Sequence, residues 1–158
     1  MKDDGLFSAL NSDINPLLYE DFLCSARTEI IEGNIRRATL EMAISCEVFV
    51  KSSLFSESAI SGSIFDYLST QRKIEISVQE LLHKPIKEVC GSSFKEEHLQ
   101  DWKNICYLFN ARNRVAHSGL CEFRNEKGEK LNVDEFIIEE WWGSFEKLIS
   151  WLTTVIAR

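Results

Sequence analysis

Asn34-Ile-Arg-Arg-Ala-Thr-Leu-Glu-Met-Ala-Ile-Ser-Cys-Glu-Val-Phe-Val-Lys-Ser-Ser-Leu-Phe55 is the stretch on which the fold turns. Ile35, Ala38, Met42, Cys46 and Phe49 recur at three- and four-residue steps and make one apolar row, and Leu40, Ala43, Val50 and Leu54 make a second. Each residue advances about 100° round an α-helix, so these steps gather side chains on a face, and two rows describe a helix buried over a broad arc. Asn34 is suited to cap its start. Gly33-Asn34 separates it from an earlier helix in which Leu18, Phe22, Ala26 and Ile30 keep the same spacing. So short a gap favours an antiparallel pair. Glu47 interrupts the second row, where an unpaired charge is costly. Two partners are equally suited to it: Arg112, if the second and fourth helices pack together, and Lys51, one turn on.

Downstream, Ser56 to Gly62 is turn-like, and Ile64 to Leu68 and Ile74 to Leu82 each read as one or two helical turns, with Pro85 ending or kinking the second. From Phe94 a stronger helical pattern runs through Leu99, Trp102, Ile105, Phe109 and Ala116 to a stop at Gly119. Glu122 to Leu131 has the turn chemistry of a small hairpin or exposed loop. A last helix begins near Asp134 and carries Phe136, Ile137, Trp141, Phe145, Leu148, Trp151, Leu152 and Val155 on a broad apolar face. The expectation is an all-α bundle of four long helices, with a shorter helical insertion and a small hairpin or loop before the last helix. Residues 1–158 form a single domain, of which 1–16 are a partly ordered extension.

Composition agrees with that class. A chain of 158 residues, 44% apolar and 27% charged, buries about 68–70% of its unfolded surface when it folds. Two prolines and seven glycines are too few for a loop-rich sandwich, a collagen-like repeat or a disordered linker. With 25 acidic against 18 basic residues, net charge −7, the chain does not grip nucleic acid through a general positive field. Any chemistry on RNA or DNA needs a local site. Cys24, Cys46, Cys90, Cys106 and Cys121 are odd in number and widely spaced, which suits neither a zinc site nor a disulfide framework. The start lacks a secretory signal and no run is long enough to span a membrane, so a reducing, cytoplasmic compartment is expected.

The chemistry concentrates in Asn110-Ala-Arg-Asn-Arg-Val-Ala-His-Ser-Gly119. Asn113 and His117 are four apart and share a helical face, so the amide is placed to orient the imidazole. Arg112 and His117 are five apart, about 140° round the helix. One regular helix does not aim both at one phosphate. Either the helix distorts between them or a second copy of the chain supplies half of the site. Taken singly, such a pair reads as an ion-pairing arginine and a histidine drawn to the helix C-terminus.

Arg112-Asn-Arg-Val-Ala-His117 resembles the R-N-x-x-x-H signature of the HEPN superfamily, the higher eukaryote and prokaryote nucleotide-binding helical domains. The signature falls late in a helical chain, at the end of a core helix, as it does in that family. Glu32 to Glu47 is similar to the family's second helix, and the close with Trp151-Leu152 is similar too. The resemblance spans roughly residues 18–156 and is least evident over 56–93. It implies a metal-independent endoribonuclease acting as a homodimer, with two signatures in one cleft. The RNA 2′-hydroxyl would attack the adjacent phosphorus, leaving a 2′,3′-cyclic phosphate and a 5′-hydroxyl. His117 would be the general acid or base, Arg112 the phosphate clamp, and Asn113 would orient the histidine or touch the phosphate. Asn110, in the same row as Cys106, Asn113 and His117, is a supporting residue together with Glu47, while Arg114 and Lys103 are the cations that would line an RNA cleft. No metal or cofactor is expected; RNA, a second copy and an antitoxin or other partner protein are. Many stand-alone relatives are toxins or phage-defence effectors.

The alternative is a non-catalytic HEPN-like module that binds a partner protein or a nucleotide. A helical hydrolase or transferase with Glu47 as base is a more distant third. The remaining features have plainer readings. His83 and His98 fit no metal-ligand spacing and are expected in solvent. Cys106 is a small buried residue rather than a nucleophile, and Trp141-Trp142 serve core and interface rather than base stacking.

Overall fold

A computed structural model describes residues 17–55, 60–71 and 76–157. The expectations for 1–16, for Ser56 to Ala59 and for the beginning of the Ile74–Leu82 segment lie outside the described residues. The first helix, α1 (Leu18–Ile31), ends on Gly33, whose φ of 77° reverses the chain. The second, α2 (Ile35–Phe55), returns alongside α1. Ala38, Met42, Ala43, Cys46, Phe49, Val50 and Leu54 are buried, so both apolar rows of α2 face protein. Asn34 stands at the start of α2 with its carbonyl accepting from Ala38 N at 2.9 Å. Its side chain does not cap the helix. Asn34 Nδ2 instead donates to Glu29 Oε2 at 2.8 Å, and Arg37 Nε lies 3.0 Å from Glu29 Oε1. Glu29 is buried, and a buried carboxylate needs donors more than a helix start does.

Four short helices follow: α3 (Ser61–Thr70), α4 (Val78–Leu81), α5 (Lys84–Cys90) and α6 (Phe94–Glu97). Pro85 falls in the first turn of α5, where the missing N–H has no acceptor to lose, so it begins a helix rather than ending one. His98, with φ −136° and ψ 57°, separates α6 from α7 (Leu99–Ser118). The expected continuous helix from Phe94 is therefore broken. Phe94 is fully buried against Trp151, and Trp151 Nε1 donates to Glu97 Oε2 at 2.8 Å, which holds α6 to the last helix across the break. Gly119 ends α7 at φ 69°.

Strands β1 (Glu122–Arg124) and β2 (Lys130–Asn132) form an antiparallel hairpin with Phe123 opposite Leu131. Its turn is tied by Asn125 Oδ1, which accepts from the backbone of Lys127 and Glu129, an Asx arrangement. The last helix, α8 (Glu135–Ile156), starts at Asp134, whose side chain accepts from Ile137 N at 2.8 Å. Ile138, Trp141, Phe145, Leu148, Leu152 and Val155 are buried, but Phe136 is 79% exposed, so Phe136 is not on the packed face on which the sequence reading put it. The described chain is mostly helical, with four long helices and this one hairpin. Two side-chain contacts link α8 to its neighbours: Arg27 of α1 pairs with Glu139 at 2.6 Å, and Asn104 of α7 donates to Ser144 Oγ at 3.0 Å, which itself donates to Asp101. None of the described helices is long and apolar enough to cross a membrane.

Candidate functional site

The signature lies in the last two turns of α7, and the helix stays regular through it to Ser118 because the left-handed Gly119 closes it, with Gly119 N donating to Val115 O at 3.0 Å. Arg112 and His117 therefore keep their separation round the helix. Arg112 is half-buried, while Asn113 and His117 are exposed. Arg112 Nη1 donates to Asn113 Oδ1 at 3.0 Å, which draws the guanidinium round the helix toward the face that Asn113 shares with His117. The amide expected to orient the imidazole holds the arginine instead. Arg112 has no carboxylate partner among the described residues, so its charge is not neutralised locally.

The other expected site residues serve the scaffold. Glu47 pairs with Lys51 at 2.5 Å and not with Arg112, because the helical neighbour four residues on is already within reach. Asn110 Oδ1 accepts from the backbone N–H of Arg124 at 3.1 Å, pinning β1 to α7. Arg114 is bound to Glu122, with Lys130 at 4.0 Å from the same carboxylate, and Arg114 Nε is buried without an acceptor. Lys103 pairs with Glu126 at 2.6 Å. Thus the two cations expected to line an RNA cleft are both neutralised by acids of the hairpin. That hairpin supplied the partners a single-helix reading could not see.

Cys106 is half-buried rather than buried as expected; desolvation still pushes its thiol up to about 12, so a thiolate is scarce at neutral pH. The Cys121 thiol is likewise raised by burial, against smaller lowering influences from a Thr39 hydrogen bond and the Arg36 charge. His83 and His98 are half-buried rather than solvated. His83 Nδ1 is 3.0 Å from the hydroxyl of buried Ser93, and His98 lies against the Phe94 ring, centroids 5.3 Å apart. Desolvation, then Lys95, Lys84 and Lys87, lower the His83 pKa against an opposing influence from Glu96. Trp141 is buried in the core, whereas Trp142 lies beneath the Arg27 guanidinium at 5.0 Å, a cation–π contact that occupies its face. Among the described residues no three or more His, Cys, Asp or Glu side chains come together as metal ligands.

Sequence reasoning missed Arg36. From the first turn of α2 its Nη1 reaches the carbonyl of Gly119 at 3.3 Å, two residues past His117. An open cleft beside it is lined by Gly33, Asn34, Ile35, Arg36, Arg37 and Cys121. The Arg36-Arg37 pair at a helix start was the available signal, but which end of α7 it meets depends on the antiparallel packing of α2 and α7. No family model, curated protein or solved structure matches the chain.

Proposed function

We propose that this chain is a HEPN-like, metal-independent endoribonuclease whose active site is shared by two copies, acting in the cytoplasm as a toxin or defence effector. The observation that carries the reading is the arrangement at the end of α7: an un-neutralised Arg112 turned by Asn113 toward the face of an exposed His117. A guanidinium offers a planar fork of donors that matches a phosphate and its extra charge in the transition state. An imidazole exchanges a proton near neutral pH. Together they suit attack by the RNA 2′-hydroxyl on the adjacent phosphorus. The 2′-oxygen forms the new P–O bond and gives up its proton, the 5′-oxygen leaves and takes one, and the products are a 2′,3′-cyclic phosphate and a 5′-hydroxyl. Within one chain the Arg112 guanidinium is held at Asn113 and no contact with His117 is made among the described residues, and a second copy supplies the facing half of the site.

The ion pairs of Arg114 and Lys103 with Glu122 and Glu126 favour the alternative, a non-catalytic module that binds a protein or nucleotide, since they remove positive charge from the expected RNA path. Incubation of wild type and His117→Ala with total RNA in EDTA separates the two. The nuclease reading expects fragments from the wild type alone. Equal fragmentation by both proteins would remove His117 from the chemistry, and intact RNA in both would favour the binding module.

A further inference from the structure

We propose that Arg36 is a second phosphate-binding residue of the His117 site, holding the RNA backbone one nucleotide or more from the bond that is cut. The inference rests on the ribonuclease reading and extends it to a helix the signature does not include. Three observations carry it. Arg36 is exposed, and its guanidinium reaches the carbonyl of Gly119, the residue that closes the signature helix. That carbonyl engages one of five guanidinium N–H groups, and the others remain available to a phosphate. Arg36 also has no carboxylate partner among the described residues, in contrast to its neighbour Arg37, which faces both Glu29 at 3.0 Å and Glu41 at 3.8 Å.

Near the end of α7 Arg114 and Arg37 are each matched by an acid, while Arg36, Arg112 and, on β1, Arg124 have no carboxylate partner among the described residues. In a chain of net charge −7, two unmatched guanidiniums flanking one exposed histidine make a local cationic site of the kind an acidic protein needs to hold a polyanion. Arg112 is tied to the signature face through Asn113. Arg36 stands past the helix end, beside the open cleft, so the two address different phosphates of one strand.

The test measures binding apart from cleavage. In a His117→Ala background, a fluorescent single-stranded RNA is titrated by anisotropy at several salt concentrations with Arg36 intact, Arg36→Gln, Arg36→Lys and, as a control, Arg37→Gln; melting temperatures confirm that each variant is folded. Arg36→Gln is expected to weaken binding about tenfold and to lower the slope of log K against log salt by about 0.7, the value for one phosphate contact on a single strand. Arg36→Lys keeps the slope, and Arg37→Gln lowers the melting temperature without changing the slope. An Arg36→Gln variant with the parent's affinity and slope overturns the role of Arg36 while leaving the nuclease reading intact. Failure of the parent to bind RNA at all overturns both.

Discussion

At the residue scale, the site and the fold compete for the same polar side chains, and the hydrogen bonds show which use prevails. Asn110 and Glu47 both have functional readings in the sequence, and each is held by a structural partner within the described residues. Glu29 is the clearest structural charge: it is buried, with Asn34 and Arg37 as its donors. Glu29→Ala is expected to cost about 1.5–3 kcal/mol in urea unfolding, the range for hydrogen bonds to a charged group, since the contacts from Asn34 and Arg37 to its carboxylate are lost. His83 gives a pH signature. Its folded pKa is lowered, so the folded chain binds fewer protons than the unfolded chain between the two values, and stability falls as pH drops through the ordinary histidine range toward the folded value. Wild type should therefore lose more melting temperature between pH 7.5 and pH 5.5 than His83→Gln does; identical losses would remove His83 as a source of the pH dependence. Arg112 and His117 stand out from the sequence by residue type and spacing. Arg36 does not, because the role proposed for it depends on a contact 83 residues away in sequence.

At the element scale, apolar periodicity carried α1, α2, α7 and α8 nearly to their ends, because a buried arc imposes its spacing on the sequence. It failed where local chemistry, rather than burial, sets the boundary. Phe136 is two residues before the buried Ile138, about 200° round the helix, and so is exposed on the face opposite the packed one. His98 breaks α7 from α6 although the apolar pattern runs on, since Phe94 and Glu97 are held by Trp151. Nor does the hairpin's charge pairing appear in any helical wheel. The end of α7 offers a direct test of how the fold positions the site. Gly119 has φ 69° and open space where a Cβ would be, so Gly119→Ala is penalised by backbone conformation alone, about 1–2 kcal/mol. The proposed activity should fall as well, because the carbonyl that receives Arg36 and the last turn that carries His117 both move; an Ala variant with wild-type stability would show that the left-handed closure is dispensable.

At the scale of the whole molecule, α2 is the central element, packed by α1, α7 and α8 around a buried Met42. Met42→Ala is expected to cost about 2–5 kcal/mol as a cavity in a close-packed core, read from a denaturant midpoint that shifts with an unchanged slope. The proposed function asks something different of the molecule: that two copies complete one site. The most direct test mixes two inactive proteins, Arg112→Ala and His117→Ala, after brief denaturation and joint refolding, and follows cleavage of a defined RNA in EDTA. If the site is shared, half of the dimers are mixed and each has one intact pairing of Arg112 with His117, so about a quarter of wild-type activity returns. A mixture as inactive as its two components, alongside an active wild type, would contradict the shared site.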